Sequence, residues 1–169
     1  MDTASRLTGI YLPAVIQPQR SLGGRTFDFS RQVVIMAIVN RTPDSFYDKG
    51  RTFGLEKAVE AAYAAIADGA DWVDIGGVPF APGPEVTVAQ EIDRVIPVVE
   101  ALRDEVGTVI SVDTFRPEVR RRSMPAGAYG LNDPTGLTDV AAAWFGAARP
   151  AGLVTPPPLA SPRIAPPPP

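Results

Sequence analysis

Apolar and polar positions recur along this chain with two different periods, and the switches between them mark out the elements. Val33–Val39 (VVIMAIV) is an unbroken apolar run rich in β-branched residues, as expected of a strand buried on both faces. Leu55, Ala58, Val59, Ala62 and Ile66 then fall on one helical stripe, predicting a helix over 55–68 that Gly69 stops. Trp72–Ile75 reads as a second strand. Thr87, with Gln90 three residues on, forms a capping box that opens a helix with Ile92, Val95, Ile96, Val99 and Leu102 on one side. That stripe continues past Pro97, so the proline is predicted to kink the helix without ending it. Thr108–Val112 is a third strand, and Pro117 suits the first turn of a third helix. Pro125 is expected to break that helix. Leu131 should end a short fourth strand, Thr138–Ala147 form a fourth helix, and Gly152–Val154 start a fifth strand. Ahead of them all, Gly23-Gly24 predicts a hairpin turn.

Strands alternating with helices across short connections imply parallel pairing and right-handed crossovers. No G-x-G-x-x-G follows the first strand, which disfavours a doubly wound dinucleotide fold. The expected fold class is therefore α/β: a partial (β/α)8 TIM barrel of about four βα units, preceded by an N-terminal β-hairpin. A complete barrel takes about 250 residues, and this chain has 169. The expected organisation is a disordered N-terminal arm over 1–19, a truncated barrel domain over 20–154 and a disordered tail over 155–169. The tail carries 8 prolines in 15 residues, too many for a helix or a central strand.

Composition removes several chemistries. With 16 Lys plus Arg against 19 Asp plus Glu, the net charge is −3, and no basic excess exists to neutralise nucleic-acid phosphates. The absence of Cys and His removes thiol nucleophiles, imidazole bases and most zinc chemistry. No apolar run approaches the roughly 20 residues of a membrane span, and the N-terminal segment does not read as a signal peptide. A cytoplasmic location is expected.

What remains is a set of polar residues at the carboxyl ends of the strands. Asn40 follows the first, Asp74 ends the second, Asp113 follows the third, and Asn132 with Asp133 follows the fourth. A single Asp after a strand is most often a turn former or helix cap. Recurrence on consecutive parallel strands points instead to a ligand site, because active sites of such folds lie on that face. Carboxylates accept from amino and ring N–H groups while amides both donate and accept, which suits a flat, nitrogen-rich ligand.

The residues Asn40-Arg41-Thr42-Pro43-Asp44-Ser45-Phe46-Tyr47-Asp48-Lys49-Gly50 closely resemble the first signature of dihydropteroate synthases, N-x-T-P-D-S-F-x-D-x-G. Asp74-Ile75-Gly76-Gly77 with Pro82-Gly83 resembles the second, and Ser111-Val112-Asp113-Thr114 and Asn132-Asp133 match the ends of the next two strands. The resemblance implies a pterin-binding barrel of folate biosynthesis. Such enzymes join dihydropterin pyrophosphate to p-aminobenzoate with Mg²⁺, through a pterin cation that the arylamine attacks. By position, Asn40 would orient the Mg²⁺–pyrophosphate, and Asp74, Asp113, Asn132 and Asp133 would bind substrate. The loop carrying Thr42, Pro43, Asp44, Ser45 and Phe46 would close over the site. A homodimer completing the barrel is a further expectation.

Two departures from that family bear on activity. Its second signature normally runs G-E-S-T-R-P-G, whereas this chain has Gly77-Val78-Pro79-Phe80-Ala81-Pro82-Gly83. The acid and the arginine are gone, and Ala81 cannot replace a bidentate guanidinium at an anionic substrate. Arg41 stands where a small apolar residue is usual and is a candidate to compensate in part. The segments that would supply the later pterin and phosphate contacts are not expected within these 169 residues. The expected function is a dihydropteroate synthase-like protein with impaired or no activity. The alternatives are a non-catalytic pterin-binding or regulatory paralogue and the product of a decayed gene.

Overall fold

The structure, a computed structural model, describes residues 17–42, 51–79, 83–104, 107–133 and 152–154. An antiparallel hairpin of β1 (Gln19–Leu22) and β2 (Arg25–Asp28) precedes a five-stranded parallel sheet. That sheet is built in sequence order from β3 (Met36–Asn40), β4 (Trp72–Gly76), β5 (Val109–Asp113), β6 (Gly130–Asn132) and β7 (Gly152–Val154). Three helices connect the strands or follow them: α1 (Arg51–Ala67), α2 (Val88–Leu102) and α3 (Pro117–Ala126). Strand order that follows chain order, with helical crossovers on one face, is the signature of a barrel wall. The predicted partial barrel with its leading hairpin is what the chain forms. The arm at 1–16, the helix at 138–147 and the proline-rich tail lie outside the described residues.

Alternation divides the sheet into two faces. Val39, Val73, Ile75, Ile110, Val112 and Leu131 point to the helices and form the main core with Ala58, Ala62, Val95, Val98, Val99, Leu102 and Val119. The opposite, inward face begins with the register row Met36, Trp72 and Val109. Phe27 of the hairpin packs on that row with Leu22, Val34 and Tyr129, closing the amino end of the inward face. Arg25 ties the hairpin down by donating from Nη2 to Asp71 Oδ1 at 2.9 Å. Gly23 and Gly24 have φ of 55° and 79°, as a tight two-residue turn requires.

Several sequence expectations are met in the helices. Thr87 and Gln90 make both bonds of the capping box. Pro97 sits inside α2, and Pro117 occupies the first turn of α3. Gly69, with φ of 101°, follows the end of α1.

Other expectations are corrected. The first strand is Met36–Asn40 and not Val33–Val39; Val33 is 88% exposed, and Ile35 is spent on accepting the N–H groups of Asp71 and Trp72. Nor is this strand buried on both faces: Ile38 is 63% exposed, because it lies on the inward face of an edge strand. Pro125 does not break α3, which runs to Ala126 and ends on Gly127. The proline falls in the last turn on the exposed side, where the carbonyl it deprives of a donor reaches water.

Candidate ligand-binding site

Parallel register sets the site. Asn40 pairs with Gly76, Gly76 with Asp113, and Asp113 with Asn132, so these four residues form one row at the carboxyl ends of β3 to β6. The row lies on the same inward face as Met36, Trp72 and Val109, four residues further along each of β3, β4 and β5. That separates the hairpin plug from the candidate site by about 13 Å.

Glycine at position 76 is what allows the row to close up. A Cβ added there would collide with Asn40 Oδ1 and would stand 3.8 Å from Asp113 Oδ2. The amide oxygen and the carboxylate therefore converge over a bare backbone. Gly77 serves the other side, since a Cβ there would come within 2.8 Å of Val95 and 3.3 Å of the Glu91 carbonyl on α2. The Gly-Gly pair thus packs a strand end between ligand-facing side chains and a helix.

Asp74 does not lie in this row. It sits one inward-facing position below, in register with Ser111, and is almost fully buried. Its Oδ1 accepts from the Ser111 hydroxyl, and its Oδ2 accepts from Asn132 Nδ2 at 3.0 Å. The carboxylate fixes which way the Asn132 amide presents itself. Ser111 is a site residue that the strand-end pattern misses, although it shares a face with Asp113 two positions on.

Asp133 is placed differently again. It is fully buried and pairs with Arg120 at 2.6 Å, so it meets an internal guanidinium. Thr42 is buried just after β3, and Pro43–Phe46 of the expected lid lie outside the described residues. Asn40 is exposed, Asn132 is half-buried and Asp113 is buried.

Arg41 points to α2. Its Nη1 donates to the carbonyls of Asp93 and Arg94 at 2.9 and 3.2 Å. Pro97 has no N–H, so the Asp93 carbonyl lacks its usual helical donor, and Arg41 supplies one. An ion pair between half-buried Arg116 and buried Glu91, 3.2 Å apart, joins the loop after β5 to the first turn of α2. Among the described residues no group of three or more His, Cys, Asp or Glu side chains is arranged to hold a metal ion. No helix among them is long and apolar enough to cross a membrane.

The pattern of the pterin binding enzyme family matches residues 36–155, which is the whole parallel sheet. The chain belongs to the pterin binding enzyme family. It is 50% identical over 137 residues to a Mycobacterium leprae protein named inactive dihydropteroate synthase 2, covering 80% of this chain and 47% of that one. It is 40% identical over 139 residues to dihydropteroate synthase of Synechocystis, covering 82% of this chain and 46% of the relative. Burkholderia cenocepacia dihydropteroate synthase complexed with 7,8-dihydropteroate superposes with a TM-score of 0.63 at 35% identity, covering 80% of this chain and 44% of that one. The chain thus spans about half the length of the relatives it matches.

Proposed function

We propose that this pterin-binding chain holds a dihydropterin on the inward face of its sheet without condensing it with p-aminobenzoate. The observation that carries the reading is the register row Asn40, Gly76, Asp113 and Asn132, with Asp74 bonded to Asn132 beneath it. Asp113 accepts from the amino and ring N–H groups of the pterin, and Asn132 donates and accepts at the same edge. Asp74 serves by orienting Asn132, and Asp133 by its pair with Arg120.

The pyrophosphate end of a dihydropterin pyrophosphate falls at Asn40. An amide oxygen is a suitable ligand for Mg²⁺, a hard ion that keeps several waters and usually takes one or two protein oxygens beside phosphate oxygens. Gly76 leaves the room for that oxygen at the strand end, so the residues present fit the ion, with Asn40 as its protein ligand. Bound there, Mg²⁺ would neutralise charge on the departing pyrophosphate.

Loss of synthase activity follows from the second signature, where Ala81 replaces the arginine that meets anionic substrate. Arg41 offers no replacement, since its guanidinium lies against α2. The 50% identity to a protein named as inactive supports the same reading. A homodimer belongs to the proposal as well, because a second copy laid along β3 would cover Ile38 and Ile35, which are 63% and 57% exposed. The test is an assay of purified chain with dihydropterin pyrophosphate, p-aminobenzoate and Mg²⁺, following dihydropteroate by mass. No product above the enzyme-free control is expected; turnover would overturn the non-catalytic assignment.

A further inference from the structure

We infer that Arg120 is a positioning residue for the strand-end site, setting the distance between Asp113 and Asn132 by bridging the residues that follow them. The inference rests on the pterin-binding reading of that site and goes one layer beneath it.

α3 buries Val119, Arg120, Ser123 and Ala126 on one face, so a guanidinium stands in a stripe otherwise made of small or apolar residues. Arg120 is 2% exposed and Asp133 is fully buried. Arginine is almost never buried to this degree unless it is paired. Its Nη2 donates to Asp133 Oδ2 at 2.6 Å and to the Thr114 carbonyl at 3.0 Å, and its Nε donates to the same carbonyl at 3.3 Å. Thr114 in turn donates its N–H to the Asn132 carbonyl at 3.2 Å.

Thr114 directly follows Asp113, and Asp133 directly follows Asn132. One planar group therefore joins the two positions immediately beyond the two ligand-facing side chains. Asn132 is held twice: through its side chain by Asp74, and through its backbone neighbour by Arg120. A guanidinium has a fixed fork, so it sets a distance as well as a charge, which a lysine ammonium does not.

Stability alone is a poor account of this pair. Buried ion pairs are often matched or exceeded in stability by apolar groups of similar volume. Arg120 Nη1 is also buried with no hydrogen-bond partner among the described residues, a cost that an apolar residue would not incur. What an apolar residue cannot reproduce is the bridge between the two strand ends.

The test compares the full chain with Arg120→Met/Asp133→Leu and with Arg120→Lys. Each is measured for unfolding midpoint and for 7,8-dihydropteroate affinity by titration calorimetry. The double variant should unfold close to the parent midpoint yet bind about tenfold or more weakly, because a misplacement of about 1 Å is enough for losses of that order. Parent affinity in the double variant, or an affinity loss that Arg120→Lys shows only in proportion to lost stability, overturns the inference. Should the double variant not fold, Arg120→Lys decides: a folded protein of parent affinity overturns it, and weakened binding by a folded protein sustains it. If the parent chain binds no pterin, the pterin reading itself falls. The positioning role is then decided by the Asn132 side-chain amide resonances, which move in the variants if Arg120 positions that residue and coincide with the parent's if it does not.

Discussion

Asn132 Nδ2 donates to Asp74 Oδ2 across 3.0 Å, so the amide that ends β6 is oriented by a carboxylate from β4, over the top of Ser111 on the strand between them. The two residues divide the work: one faces the ligand, and the other stays buried and fixes the first. Their substitutions should therefore have different signatures. Asn132→Ala should weaken pterin binding by about tenfold or more and cost only about 1 kcal/mol, since the buried Asp74 carboxylate loses one donor but keeps the Ser111 hydroxyl. Asp74→Ala should weaken binding and also cost about 1–3 kcal/mol, because Ser111 is left buried without its acceptor. Calorimetric titration and urea unfolding of both variants separate the roles; equal stability losses would contradict the division.

Gly76 is the position where the row tolerates no side chain. Gly76→Ala should displace the Asn40 amide from its place beside Asp113, lowering pterin affinity although neither ligand-facing residue is altered. Titration of the variant beside the parent checks this, and an unchanged affinity would mean that Asn40 and Asp113 do not need to converge.

Arg41 and Pro97 form a second coupled pair. Arg41→Met removes the donor that serves the Asp93 carbonyl and should destabilise the fold by about 1–3 kcal/mol. Pro97→Ala restores a helical N–H to that carbonyl, so the double variant should lose less than the sum of the single losses. A double-mutant cycle from chemical unfolding measures this, and strict additivity would show that Arg41 acts independently of Pro97.

The hairpin carries its own pH response. Asp28 is held below its ordinary pKa of 3.8, first by the Ser30 hydroxyl and then by the Ser30 N–H. A carboxylate lowered on folding adds stability above its unfolded pKa and loses it as the pH falls through the folded value. The hairpin should therefore be insensitive to pH near neutrality and loosen only in acid. Ser30→Ala should raise the Asp28 midpoint towards 3.8 in a carboxyl-carbon NMR titration; an unmoved midpoint would contradict the hydroxyl's role.

The fold was legible in the sequence because its two periods are clean. Thr87 and Gln90 mark one helix start, Gly23-Gly24 marks the hairpin, and Asn40, Asp113 and Asn132 mark the row of the candidate site. The boundaries of β3 were less legible, because an apolar run such as Val33–Val39 does not say where pairing begins. Val33 and Ile35 look like core residues but lead into the strand from outside. Asp74 and Asp133 have the right residue type for a ligand, yet each is turned inward by a partner that periodicity does not reveal. Ser111 for Asp74 could have been found from the two-residue repeat of a strand face. Arg120 for Asp133 could not, since a lone arginine on a helix is usually solvated and only the packing shows it buried.

The most direct test of the central claim is calorimetric titration of folded chain, checked by circular dichroism, with dihydropterin pyrophosphate in Mg²⁺. Saturable binding at one site per chain, lost in Asp113→Ala, is the predicted result. A folded chain that gives no saturable heat, or one whose binding survives Asp113→Ala unchanged, would contradict a pterin site at the ends of these strands.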